Sequence, residues 1–111
     1  MRDDRERLID ILEAIEQIEN YTNQGRETFE HDELIQIWVI HHIQIIGEAS
    51  AKISNALRMT HKEIPWQKII AMRNILVHAY FSVDLEEVWN SVENDIPDLK
   101  CKVKIILNEF D

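Results

Sequence analysis

Between residues 4 and 22 the apolar positions Leu8, Ile11, Leu12, Ile15, Ile18 and Tyr21 recur three and four apart, with Arg and Glu between them. That spacing predicts an amphipathic helix. Thr22-Asn23-Gln24-Gly25 ends it, with Gly25 placed as a left-handed cap. A second helix is expected to start near Glu30 to Asp32, with Asp32 as its N-cap, and to run to about Leu57. Its centre holds Ile35, Ile37, Trp38, Val39, Ile40, Ile43, Ile45 and Ile46. A helix apolar nearly all round is buried on more than one side. A small bundle can hardly bury it alone, so part of it is expected to meet a second subunit. Residues 58–64 read as a loop, and Pro65 opens a third helix at its first turn, where a missing N–H costs nothing. Its core stripe is Trp66, Ile69, Met72, Leu76 and Ala79. Asp84 caps a short fourth helix with Leu85, Val88, Trp89 and Val92 inward. After a break at Asn94-Asp95-Ile96, Pro97 starts a fifth, with Leu99, Val103, Ile106 and Phe110 inward. The expected fold class is all-α: an up-and-down bundle of about five helices, homodimeric, in one domain over residues 1–111.

Composition agrees with that outline. A chain of 111 residues has room for one core. Two Gly and two Pro leave little material for hairpin turns. The single Cys101 excludes an internal disulfide and fits a reducing, cytoplasmic compartment. No apolar run reaches about 18 residues, and Met1-Arg2-Asp3-Asp4 is charged, so neither a membrane span nor a signal peptide is expected. The net charge of −9 argues against a general nucleic-acid-binding surface.

Against this apolar and acidic background, Arg73-Asn74-Ile75-Leu76-Val77-His78-Ala79-Tyr80 gathers four polar functions in eight residues. On a helix, at about 100° per residue, Asn74 and His78 lie about 40° apart and share a face. Arg73 and Tyr80 lie about 20° apart, two turns from each other. A cation, an amide, an imidazole and a phenol can thus surround one small anionic group. Arg holds phosphate through forked, charge-assisted hydrogen bonds, and His moves protons near neutral pH. The same residues also admit structural roles. Arg73 can pair with a carboxylate on the next helix, His78 can cap a helix end, and Tyr80 can be a core residue with a satisfied hydroxyl.

Arg-x4-His-x-Tyr, with Asn directly after the Arg, resembles the signature of the HEPN superfamily and of its HepT-like toxin branch. Ile45-Ile46-Gly47-Glu48-Ala49 and His61-Lys62-Glu63-Ile64-Pro65-Trp66 resemble further stretches of HepT-like proteins, in the same order. The resemblance implies an all-helical, dimeric, metal-independent endoribonuclease with no cofactor. It implies Arg73 and His78 as catalytic residues and Asn74 in support. It also implies a partner, a small MntA-like nucleotidyltransferase antitoxin that transfers AMP to Tyr80 and restrains the toxin. Glu48 has two readings: a partner that orients Arg73 or His78, or a solvated acid on the outer face. The competing functions are a non-catalytic helical interaction module and a nucleotide-binding domain of the same superfamily.

The remaining chemistry-bearing residues change little. His41 and His42 are adjacent and point about 100° apart, so they cannot chelate one metal in the usual i, i+4 manner, and packing or interface roles are expected. His31 and His61 fall near helix ends and are expected to be exposed. Lys100, Lys102 and Lys104 form the basic cluster of the chain, expected as a solvated face rather than an RNA track. There is no Gly-rich phosphate loop and no Gly-x-Ser-x-Gly elbow.

Overall fold

The computed structural model describes residues 3–78 and 84–110, and within them the side chains of all but Ile75, Val77 and His78. Among the described residues every regular element is helical. The elements are α1 (Asp4–Thr22), α2 (Arg26–His31), α3 (Glu33–Ala51), α4 (Asn55–Thr60), α5 (Trp66–His78), α6 (Leu85–Asn90), a π-helical turn (Ser91–Asp95) and α7 (Ile96–Glu109). α3 lies between α1 and α5, and α7 packs against α1.

The core follows the predicted stripes. Leu8, Ile11, Ile15 and Ile18 of α1 are fully buried, and they meet Val39, Ile43 and Ile46 of α3 and Val103 and Ile106 of α7. Burial of such a side chain contributes about 1.5–3 kcal/mol. Asp3 caps α1 by accepting from the Glu6 N–H at 2.9 Å. Asp32 caps α3 by accepting from the N–H groups of Leu34 and Ile35. The Trp38 indole donates to the Gln17 carbonyl at 2.8 Å and ties α3 to α1.

The second predicted helix is shorter than expected. α3 stops at Ala51 rather than near Leu57, and a separate helix α4 follows. Ser54 causes the break. Its side chain accepts from the Leu57 N–H, while its own N–H and hydroxyl donate to the Asp4 carboxylate at 2.9 and 2.6 Å. That anchors the start of α4 to the start of α1. Arg58 then donates to the Ala51 and Ile53 carbonyls and satisfies the C-terminal end of α3. A further short helix, α2, was not expected, since Phe29 is its single large apolar residue. Phe29 is buried against Trp89, with ring centroids 5.3 Å apart. Gly25, expected as a left-handed cap of α1, instead enters α2 with φ 99° and ψ 174°, a conformation open to glycine, while α1 ends on Asn23 in right-handed geometry.

The predicted break before Pro97 is absent. α6, the π turn and α7 run on as one helical rod from Leu85 to Glu109. Pro97 has no N–H to give the Glu93 carbonyl four residues back, and the chain answers with a wider turn. The Ile96 N–H reaches five residues back to the Ser91 carbonyl. Two stripe positions are also corrected. Tyr21 and Phe110, both expected inward, are 44% exposed. Tyr21 lies edge-on to Trp38 at 5.3 Å. Beside them on α3, Leu34, Ile37 and Trp38 remain partly open to solvent.

Candidate functional site

The polar cluster of the sequence sits on α5, and α5 is positioned from both ends of its approach. At its start, the Trp66 indole donates to the His61 carbonyl at 3.0 Å. The His61 ring is held in turn by two carboxylates, Glu63 at 2.9 Å through Nδ1 and Glu109 at 3.1 Å through Nε2. His61 is therefore a half-buried clasp between the loop before α5 and the end of α7, not the exposed residue that the sequence suggested. The His-x-Glu spacing of His61 and Glu63 was the available signal. The Glu63 carboxyl is held below its ordinary value of 4.5, by a backbone N–H first and then by the His61 ring. Lys102 adds to the clasp by donating to the Glu63 carbonyl at 2.8 Å.

Further along, α5 is pressed onto α3 at Gly47. A methyl group built on Gly47 would fall on the Arg73 Cβ, with the Arg73 Cγ 2.8 Å away and the Ile69 carbonyl oxygen 3.3 Å away. This is the close helix approach expected of a mid-helix glycine. It occurs at the residue that heads the motif.

Arg73 is half-buried, and its Nη1 donates to the Asn74 side-chain carbonyl at 3.0 Å. Two of the four motif residues are thus brought together. Among the described residues Arg73 meets no carboxylate at ion-pair distance. Other cations of this acidic chain do: Arg26 with Glu30, Lys52 with Glu48, Lys68 with Asp95, Lys100 with Glu19 and Lys102 with Asp98. The hydrogen bond to Glu19, and then its charge, hold the Lys100 ammonium above its ordinary pKa. Lys100 and Lys102 are thereby neutralised, as expected of a solvated face. The alternative structural role, a pairing of Arg73 with a carboxylate on the next helix, is not found among the described residues.

His78 is the last residue of α5, one and a half turns beyond Arg73, and its side chain lies outside the described part. Tyr80 lies outside the described residues altogether. Glu48 pairs with Lys52 at 3.5 Å, with its side chain half exposed. It lines a cleft of about 300 Å³ between α1 and α3, together with Arg7, Asp10, His42 and Lys52. Its described partner is that of a solvated surface acid. His42 is buried, its ring on Trp38 and its Nδ1 2.8 Å from the Trp38 carbonyl, which is a packing role. Among the described residues, no group of three or more His, Cys, Asp or Glu is arranged to hold a metal ion, and no helix is long and apolar enough to cross a membrane.

Comparison with known proteins bears on this arrangement. A family model described as "Ribonuclease HepT-like" matches residues 11–106. A protein of Thermococcus cleftensis named probable ribonuclease HepT is 46% identical over 102 residues, 91% of this chain and 93% of the relative. An RNase-named protein of Methanocaldococcus jannaschii is 36% identical over 106 residues, 95% of this chain and 97% of the relative. In a protein of the same organism named as both a gamma-glutamylcyclotransferase and an RNase, 42% identity over 102 residues covers 91% of this chain but 46% of the relative. No solved structure gives a significant match.

The clasp before α5 has a testable pH dependence. A carboxyl whose folded pKa is depressed contributes stability that is present above its unfolded value and lost as pH falls through the folded value. Glu63→Ala should therefore lower the melting temperature near pH 7, and the difference from the unsubstituted protein should shrink as pH falls below about 4.5. Thermal unfolding followed by circular dichroism between about pH 7 and pH 3 measures it. A difference independent of pH would show that the Glu63 charge is not what holds the loop.

Proposed function

Because the chain belongs to the HepT-like ribonuclease family, we propose that it is the endoribonuclease toxin of a toxin–antitoxin pair, acting in the cytoplasm on RNA without a metal. The observation that carries the reading is a motif guanidinium that meets no carboxylate among the described residues of a chain of net charge −9, and is paired instead with the amide beside it. A neutral partner leaves the charge of Arg73 available to a phosphate. In the proposed chemistry Arg73 binds the scissile phosphate and stabilises charge that builds on its oxygens. Asn74 orients the guanidinium and keeps its amide N–H groups for a further hydrogen bond to phosphate. The RNA 2′-hydroxyl attacks phosphorus, so that the P–O2′ bond forms and the P–O5′ bond breaks. The products are a 2′,3′-cyclic phosphate and a 5′-hydroxyl. His78 takes the proton from the 2′-hydroxyl or supplies one to the leaving 5′ oxygen. Glu48, held by Lys52, is given no step in this chemistry.

The site is proposed to work as a homodimer. Leu34, Ile37 and Trp38 of α3, with Tyr21 of α1 edge-on to Trp38, are partly exposed and form an apolar patch. A second copy of the same patch would cover it around a two-fold axis and bring two motif helices to one cleft. Doubling the cation locally offsets the repulsion of RNA by the acidic surface.

Tyr80 is the proposed point of control, by analogy with the family. Its phenol oxygen attacks the α-phosphate of ATP held by a nucleotidyltransferase antitoxin. An O–P bond forms, pyrophosphate leaves, and the phenol proton passes to a base of the partner enzyme. Each added AMP places a negative charge and a bulky base where RNA must enter.

Three outcomes are expected. Arg73→Ala and His78→Ala each lose about 10²- to 10⁴-fold in RNA cleavage while keeping the helical circular dichroism signal. Folded variants that still cut RNA would remove both residues from the mechanism. Ile37→Glu yields a monomer in analytical ultracentrifugation at micromolar concentration, since a buried unpaired charge costs several kcal/mol. A monomeric unsubstituted protein would end the dimer proposal. Co-expression with the antitoxin adds whole AMP units in intact-mass spectrometry, and Tyr80→Phe abolishes the gain. An unmodified toxin, still suppressed by the antitoxin, would mean that restraint works by binding.

A further inference from the structure

We propose that Gly47 is a positioning residue for Arg73: its bare Cα lets α5 sit directly against α3, and that seat sets where the guanidinium lies. The inference rests on the ribonuclease reading of Arg73 and adds to it a residue on a different helix. Three facts carry it. A methyl group at Gly47 would overlap the Arg73 Cβ and lie 2.8 Å from its Cγ. The same methyl would lie 3.3 Å from the Ile69 carbonyl oxygen, one turn earlier on α5. Neither neighbour is the free end of a side chain, so no rotamer change makes room. Beside the contact Ile43 and Ile46 of α3 are buried and Ile69 and Met72 of α5 partly buried, around a small cavity of about 60 Å³ that leaves the Cβ overlap itself unrelieved.

Relief therefore requires α5 to move as a body, by a distance on the order of an ångström. Arg73 and Asn74 ride on the same helix, so their mutual hydrogen bond survives. What changes is the place of α5 relative to α3. In the proposed dimer the two copies meet through α3, so the spacing between the two motif helices across the cleft depends on this seat. Misplacement by about 1 Å can cost about 10²-fold in rate. Arg73 is proposed to act most strongly on the charge that builds in the transition state, so a shifted guanidinium loses more there than in the ground state, and the loss falls on kcat more than on KM.

The sign of the stability effect makes the contact testable without activity. In a helix interior Ala is favoured over Gly. If nothing pressed on Gly47, Gly47→Ala would raise the melting temperature. The overlap reverses that sign, and removal of the Arg73 Cβ restores it.

The experiment uses the full chain. RNA cleavage is measured as kcat and KM for the unsubstituted protein, Gly47→Ala and Ile15→Val. Melting temperatures are measured for these and for Arg73→Gly and the Gly47→Ala/Arg73→Gly double variant. The expected result for Gly47→Ala is a kcat lower by about 10- to 10²-fold with KM changed less than about twofold. Ile15→Val, in the core of α1, should lower the melting temperature and leave kcat unchanged. Gly47→Ala should lower the melting temperature of the unsubstituted protein but not that of Arg73→Gly. A folded Gly47→Ala with full kcat, or an equal stability loss in both backgrounds, overturns the proposal. If Gly47→Ala does not fold alone, the double variant should, and its failure to fold where Arg73→Gly folds also overturns it. An unsubstituted protein that cuts no RNA overturns the ribonuclease reading itself, whereas an active protein indifferent to Gly47→Ala overturns the positioning role alone.

Discussion

α3 is apolar around most of its circumference, and a chain this small cannot cover it completely. α1 takes one side of it through Val39, Ile43 and Ile46, and α5 takes another at Gly47. The remaining side keeps Leu34, Ile37 and Trp38 partly in water. The rest of the molecule follows from this excess of apolar surface. It draws α5 in close enough that only a glycine fits between the helix backbones, and it leaves a patch that a second copy is proposed to cover. The motif helix is thus attached to the same element whose open face invites association.

Electrostatics works against an RNA-binding role at long range and for it at short range. The net charge of −9 repels a polyanion, with screening beyond about 8 Å at physiological salt. Within that distance the local arrangement decides. Of the three lysines of α7 that could have formed a basic track, Lys100 and Lys102 are paired with Glu19 and Asp98. Arg73 has an amide for a partner instead. A protein built this way binds its substrate through a few close contacts, not through a broad basic surface.

Much of the fold was legible in the sequence because the helices of the core carry strict three-and-four spacing. The bounds of α1, the Asp32 cap and the Asp84 cap could all be read in this way. The failures have identifiable causes. Ser54 ends α3 through a bond to Asp4, fifty residues earlier, which no local pattern reveals. α2 has too few apolar residues to show a period, and its Phe29 is defined by a distant Trp89. Pro97 was read as a break, but a π turn absorbs its missing donor. At the candidate site, the close approach at Gly47 could be anticipated from a glycine inside a helix, whereas the bond from Arg73 to Asn74 joins neighbours that point about 100° apart and was not. The His61 clasp could not, because its second carboxylate, Glu109, comes from the far end of the chain.

The central claim is that Arg73 and His78 drive attack by the RNA 2′-hydroxyl. The ends of the cleavage products test it most directly. A defined RNA cut by the purified protein in the presence of EDTA should yield 2′,3′-cyclic phosphate and 5′-hydroxyl ends in mass spectrometry, and a 2′-deoxy substitution at the cleaved position should prevent the cut. Products with 5′-phosphate and 3′-hydroxyl ends, or cleavage that EDTA abolishes, would contradict the account.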